Sequence, residues 1–169
     1  MALLKLERMT FRVYRIRDLI GLKVFDSNGK KIGVVCDLAI DYFNGKVMGF
    51  IITKKLFSKR DYVDLTNVIS LSDTIMTKGI HIHRGLKFSE IKNFDLINKD
   101  GHMIGILEDI LIDYDFYIRG LIVVSGLVDK FKNGKRVIQL KETILGEESI
   151  LFFGNKNINM RMIPRKYFG

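Results

Sequence analysis

Three groups of side chains in this 169-residue chain have types and spacings from which chemistry could be built. His81 and His83 are two apart, so a strand would put both imidazoles on one face, where a third ligand could complete a metal site. No Cys, Asp or Glu stands at a suitable local spacing, and Cys36 lies in an apolar stretch, so the pair reads as surface histidines. Asp37 with Asp41, and Asp109 with Asp113, are paired carboxylates suited to acid–base work or cation binding. They occupy matching places in two similar segments, which a structural role predicts: aspartate beside a hairpin accepts backbone N–H bonds and shapes the turn. There is no G-x-S-x-G elbow, phosphate-cradling glycine loop or CxxC pair. The expectation is a non-enzyme with no catalytic residue, no metal site and no cofactor.

The third group is the candidate for partner binding. Lys54, Lys55, Phe57, Lys59 and Arg60 form one basic loop around an aromatic, and Lys130, Phe131, Lys132, Lys135 and Arg136 form another. Lysines around an exposed ring suit phosphate contact with stacking. The competing reading folds Phe57 and Phe131 back onto the core and leaves ordinary solvated lysines.

These residues are carried on a duplicated framework. Asn28 to Tyr42, NGKKIGVVCDLAIDY, returns as Asp100 to Tyr114, DGHMIGILEDILIDY, at a constant offset of 72. Gly29, Ile32, Gly33, Asp37, Ile40, Asp41 and Tyr42 reappear as Gly101, Ile104, Gly105, Asp109, Ile112, Asp113 and Tyr114. Asn28-Gly29 and Asp100-Gly101 signal two-residue hairpin turns. The long strand after each has two largely apolar faces. Ile32, Val34, Cys36, Leu38 and Ile40 form one, and Gly33, Val35, Asp37, Ala39 and Asp41 the other. Such a strand is buried twice, once in its own barrel and once against the other repeat, with Val35, Ala39, Leu107 and Leu111 on the second face. Tyr42 and Tyr114 are expected to cap the core. A hairpin at Asn44-Gly45 leads into a third strand, Val47 to Thr53. The second copy's turn is one residue shorter and leads to Leu121 to Ser125.

The duplicated pattern resembles the PRC-barrel family, the small β-barrel of the photosynthetic reaction centre H subunit and of the C-terminal part of a ribosome-maturation factor. Gly21-Leu22-Lys23-Val24 resembles the family's opening in the first copy, and Asn93-Phe94-Asp95-Leu96 departs from it in the second. The late element Thr143 to Ile150 keeps the family's glycine at Gly146, where Val68 to Ile75 has leucine and serine. The resemblance runs from about Tyr14 to Phe153. It implies an all-β fold of two tandem small barrels packed together, five or six short strands each, serving as a binding or assembly module.

The expected boundaries are 1–85 for the first repeat with an N-terminal strand, 86–154 for the second, and 155–169 for a basic tail. The composition, 47% hydrophobic, can fill a core. One cysteine excludes an intramolecular disulfide and points to the cytoplasm. No apolar run reaches membrane-span length, and Met1 to Met9 lacks a signal peptide's apolar region. The net charge of +9 is uneven: 15 Lys/Arg face 8 Asp/Glu in 1–85, 9 face 11 in 86–154, and 4 face none in 155–169. A basic surface implies an anionic partner or simple solubility. Three readings follow. One is an adaptor that binds a protein partner, RNA or a ribosomal component through its basic face. The others are a peripheral protein on an anionic membrane surface and a metal- or ligand-binding protein. Homo-oligomers fit any of them.

Overall fold

In a computed structural model of the protein, residues 13–53, 59–125 and 135–154 are described in full, with the backbone of 158–160. They form two curled sheets with the same internal order. In the first repeat the order is β5 (Tyr62–Asp64), β4 (Lys46–Ile52), β3 (Lys31–Asp41), β2 (Lys23–Asp26), β7 (Thr74–Thr77), β6 (Val68–Leu71). In the second it is β11 (Lys135–Ile138), β10 (Ile118–Val124), β9 (Met103–Ile112), β8 (Asp95–Asn98), β13 (Ser149–Phe152), β12 (Thr143–Leu145). β2 and β7 pair in parallel, as do β8 and β13, while the other neighbours are antiparallel hairpins. The second sheet gains two strands: β14 (Ile158–Met160) on β11, and β1 (Tyr14–Arg15) on β9. The fold is therefore all-β, two barrel-like halves of six strands each. β14 accounts for the apolar alternation that opens the basic tail.

The opening turns are wider than Asn-Gly pairs usually make. β2 joins β3 through residues 27–30, and Asp26 Oδ1 accepts the N–H groups of Asn28 and Lys30. Asn98 does the same for Asp100 and His102. The next turn differs between copies. Gly45 has φ +63 in the first, and Phe116 stands in the equivalent place at φ 65. A side chain there is strained, and the Phe116 ring is held by stacking on Tyr14 at 6.5 Å and meeting Phe50 edge-on at 5.8 Å.

Simple alternation fails near the start of each long strand, at Ile32 and Ile104, and again in its middle. Val35 pairs with Ile52 but Asp37 with Ile51, so Cys36 is an extra residue. Leu107 pairs with Val123 and Asp109 with Ile122, so Glu108 is the extra residue in the second copy. A bulge of this kind transfers the following side chains to opposite faces. Val35 therefore shares the main core with Leu38 and Ile40, as Leu107 does with Ile110 and Ile112. Ala39 packs instead with Ile51 and Tyr62. This corrects the grouping of Val35 with Ala39 on one face. The bulge also turns Asp37 and Asp109 inward, each accepting the N–H of the next residue at 2.8 and 2.9 Å.

The two halves are joined by reciprocal exchange. Each repeat begins with a short helix, α1 (Ile16–Leu19) or α2 (Phe88–Ile91), whose apolar residues are buried. The strand leading into α1 crosses β9, pairing Tyr14 with Ile112 and Arg15 with Leu111. The segment leading into α2 crosses β3, with Ile40 N–H bonded to Leu86 O at 2.9 Å and Ala39 bridged to Lys87. Asp109 Oδ1 accepts the Ile16 N–H at 3.1 Å and Oδ2 takes the Arg15 guanidinium at 2.9 Å. Asp37 in turn accepts the Ser89 N–H at 3.3 Å. The hairpin tips also trade bonds, Val47 N–H to Phe116 O at 2.9 Å and Ile118 N–H to Gly45 O at 2.8 Å. One contiguous core results, running from Val24 and Phe50 to Leu107 and Ile150.

Candidate interaction face

Asp41 and Asp113 perform the turn-shaping role. Asp41 accepts from the Asn44 backbone and side-chain N–H groups, and Asp113 Oδ1 accepts from Asp115 and Tyr117. The Asn44 bonds hold the Asp41 carboxyl below the usual carboxylate range. Asp37 and Asp109, 8% and 5% exposed, do different work as locks between the repeats. Both pairs are thus engaged in backbone bonding. Tyr42 is buried, and its hydroxyl lies 2.7 Å from Thr143 Oγ1. Burial pushes its phenol up to about 12 despite that bond. Tyr114 does not cap the core: it is 58% exposed. In the first repeat the place of Thr143 is taken by Val68, which has no hydroxyl to bond.

The two histidines have separate partners. The Asn67 amide donates to His81 Nε2 at 2.7 Å, while the His83 ring tilts against Tyr62 at 5.0 Å. Among the described residues no cluster of three or more His, Cys, Asp or Glu could hold a metal ion. Cys36 sits in its bulge with its thiol pushed up by burial, and further by Asp37 and Asp61, which opposes formation of a reactive thiolate.

Of the ten loop residues singled out for partner binding, Lys54, Lys55, Phe57, Lys130, Phe131 and Lys132 lie outside the described residues. The other four divide by repeat. Lys135 bonds to Glu108, and Arg136 bonds to the Ile104 carbonyl and, at 2.9 Å, to Ser125 Oγ. Both are half-buried and tie β11 to the neighbouring strands. Lys59 and Arg60 are exposed where the chain enters β5.

The structure adds a second basic segment beside them. Tyr62 and His81 exchange backbone bonds, His81 N–H to Tyr62 O at 2.7 Å and Tyr62 N–H to His81 O at 3.1 Å. The Asp61 N–H also reaches His81 O, at 2.9 Å. The junction 78–87 thereby meets the edge of β5 at His81 before Leu86 and Lys87 reach β3. It carries Lys78, His81, His83, Arg84 and Lys87 and no acidic residue. Lys78, His81 and Arg84 are exposed, with Ile82 between them. Asp61, just before β5, is buried and accepts the His83 N–H, while Asp64, at the end of β5, is half-buried and accepts from the Tyr62 hydroxyl and the Thr66 N–H. The result is a basic ribbon in which Asp61 is buried and Asp64 half-buried. In the sequence these two segments are some twenty residues apart, and nothing local announces the bridge that aligns them.

Residues 11–84 match the family model of the PRC-barrel domain. The match ends at the junction, and residues 86–154 repeat its strand order without being covered by it. No curated protein matches the chain. Among the described residues no helix is long and apolar enough to cross a membrane.

Proposed function

Because the chain carries a PRC-barrel domain over residues 11–84, we propose that it is a non-enzymatic binding module that assembles with an anionic macromolecular partner in the cytoplasm. The observation that carries this reading is the basic ribbon on the first barrel. The exposed Lys59, Lys78 and Arg84 flank the Tyr62–His81 bridge, while Lys135 and Arg136 of the second barrel bond within it. Cations concentrated on one face steer an anionic partner and fix its orientation. The basic loop that begins at Lys54 runs directly into this ribbon in sequence and extends its charge.

The test is fluorescence anisotropy at several salt concentrations with three probes: a structured RNA hairpin, an acidic peptide, and vesicles containing phosphatidylserine. Reversing Lys59, Lys78 and Arg84 to Glu should weaken the preferred probe at least tenfold, and the binding should fall steeply with salt. Replacing Lys135 should affect stability more than binding. Binding that ignores both salt and the triple reversal would sink the proposal, and the preferred probe identifies the class of partner.

A further inference from the structure

Each sheet ends in two edge strands, and the chain covers one edge of each. The junction bridges β5, and β14 pairs with β11. β12 is different: among the described residues it pairs with β13 alone, through Thr143–Phe152, Ile144–Leu151 and Leu145–Ile150. Its sequence, Thr-Ile-Leu, contains no charge and no proline, and Ile144 is 52% exposed. Proteins usually blunt an open apolar edge, because its unpaired N–H and C=O groups are a template for another strand.

This edge borders a cleft of about 590 Å3. Its opposite wall is the first repeat's hairpin with Tyr117 and Arg119 of the second. Phe43 stands on that wall 82% exposed. The Tyr117 ring lies between two cations, with Lys46 Nζ and the Arg119 guanidinium each 5.5 Å from its centroid. Asp113 shares the charge of Arg119, the exposed Lys141 lines the cleft, and Lys46 reaches it through its contact with the Tyr117 ring. The duplication supplies an internal control. Phe43, Tyr117, Arg119 and Lys141 correspond to Asp115, Lys46, Met48 and Thr66 across the pseudo-dyad. The aromatic and cationic lining is therefore a property of one side and not of the framework.

We propose that an extended segment of a protein partner adds as a strand to the open edge of β12 and fills this cleft. The backbone of the segment completes the edge. One side chain, aromatic or β-branched, packs against Phe43, Tyr117 and Ile144. An acidic side chain two positions away, on the same face of the added strand, meets Lys141 and Lys46. The partner motif is thus an apolar and an acidic residue at spacing i, i+2. This site is separate from the basic ribbon, and the two fail independently.

The test uses the full chain and a displayed library of random octapeptides. Selected peptides should share the i, i+2 apolar–acidic motif. A synthetic copy should bind at least tenfold more weakly to Phe43→Asp and to Lys141→Glu. Ile69→Asp, at the pseudo-dyad mate of Ile144, should change binding less than twofold, as should Lys59→Glu with Arg84→Glu. Amide exchange within Thr143–Leu145 should slow when the peptide binds. Failure to enrich any motif, binding indifferent to Phe43→Asp and Lys141→Glu, or unchanged exchange at β12 would each overturn the proposal. Concentration-dependent self-association abolished by Ile144→Lys would also overturn it, by assigning the edge to a second copy of the chain.

Discussion

Lys135 and Arg136 enter β11 at the place where Arg60 and Asp61 enter β5, and the two pairs are put to different use. In the second barrel the pair is cationic and bonds to Glu108, to the Ile104 carbonyl and to Ser125. In the first, the inner position is a buried aspartate that receives the junction through the His83 N–H. The same contrast recurs at the locks. Arg15 reaches Asp109 in a buried ion pair, whereas Asp37 accepts the backbone N–H groups of Leu38 and Ser89. The same position thus holds a bonded cation, Arg136, in one copy and a buried carboxylate, Asp61, in the other. A duplicated fold can divide stability and recognition between its halves in this way, since each half completes the other.

The largest expected effect strikes the asymmetric locks. Asp109→Ala leaves the Arg15 guanidinium without its buried partner and orphans two backbone N–H groups, and should cost about 3 kcal/mol or more. Asp37→Ala orphans only backbone groups and should cost about 1–2 kcal/mol. Urea denaturation of both variants decides it; equal losses would erase the contrast between the copies.

Next come the matched glycines of the long strands. A Cβ at Gly105 would collide with Val123 and lie 2.8 Å from the Val124 carbonyl oxygen. At Gly33 the nearest atoms, on Ile52 and Thr53, are 3.1 Å away. Gly105→Val should therefore destabilise by about 2 kcal/mol and Gly33→Val by about half as much. A Gly105→Val melting temperature equal to the parent's would show that the second barrel is not packed as described.

Tyr42 gives a pH-dependent effect. Its folded pKa, about 12, lies above the ordinary tyrosine value near 10, so the neutral phenol favours the folded state. That stability is fully present below pH ~10 and is lost as the pH rises through ~12, amounting to roughly 3 kcal/mol. Tyr42→Phe should remove this part of the alkaline slope in melting temperature. A slope unchanged by the substitution would mean that the hydroxyl is not buried.

The smallest effect on stability belongs to the exposed ribbon. Lys59→Ala should change unfolding free energy by less than about 0.5 kcal/mol. Lys135→Ala, which removes a half-buried ion pair, should cost about 1 kcal/mol. A reversal of that order would place the working charges of the two barrels the other way round.

What the chain discloses before folding is its periodic content. The offset of 72, the glycine turns and the apolar strands fix the two-barrel organisation, because they are local patterns repeated in order. The bulges at Cys36 and Glu108 are hidden, since one extra residue leaves composition untouched yet exchanges the faces of everything after it. The exchanged helices are hidden for another reason: Ile16 and Asp109 are adjacent only in space. Lys135 and Arg136 are recognisable as cations, but whether a cation points outward depends on what stands beside β11. The aromatic pairs Tyr42-Phe43 and Phe116-Tyr117, each beside a turn aspartate, were the available signal for the cleft. Only Tyr42 and Tyr114 draw an expected role, as core caps, and nothing local shows that Phe43 and Tyr117 face out.

The exchange between repeats also orders events during synthesis. The Arg15 side chain bonds to a carboxylate 94 residues further along. On a ribosome, α1 and the strand before it emerge long before β9 exists to receive them, and the buried face of β3 likewise waits for α2. Native contacts of such separation form slowly, and the surfaces they will cover stay exposed until then. The first barrel of this chain is therefore a client of its own unfinished second half, and slowing translation between the two would lengthen the interval in which a chaperone has something to hold.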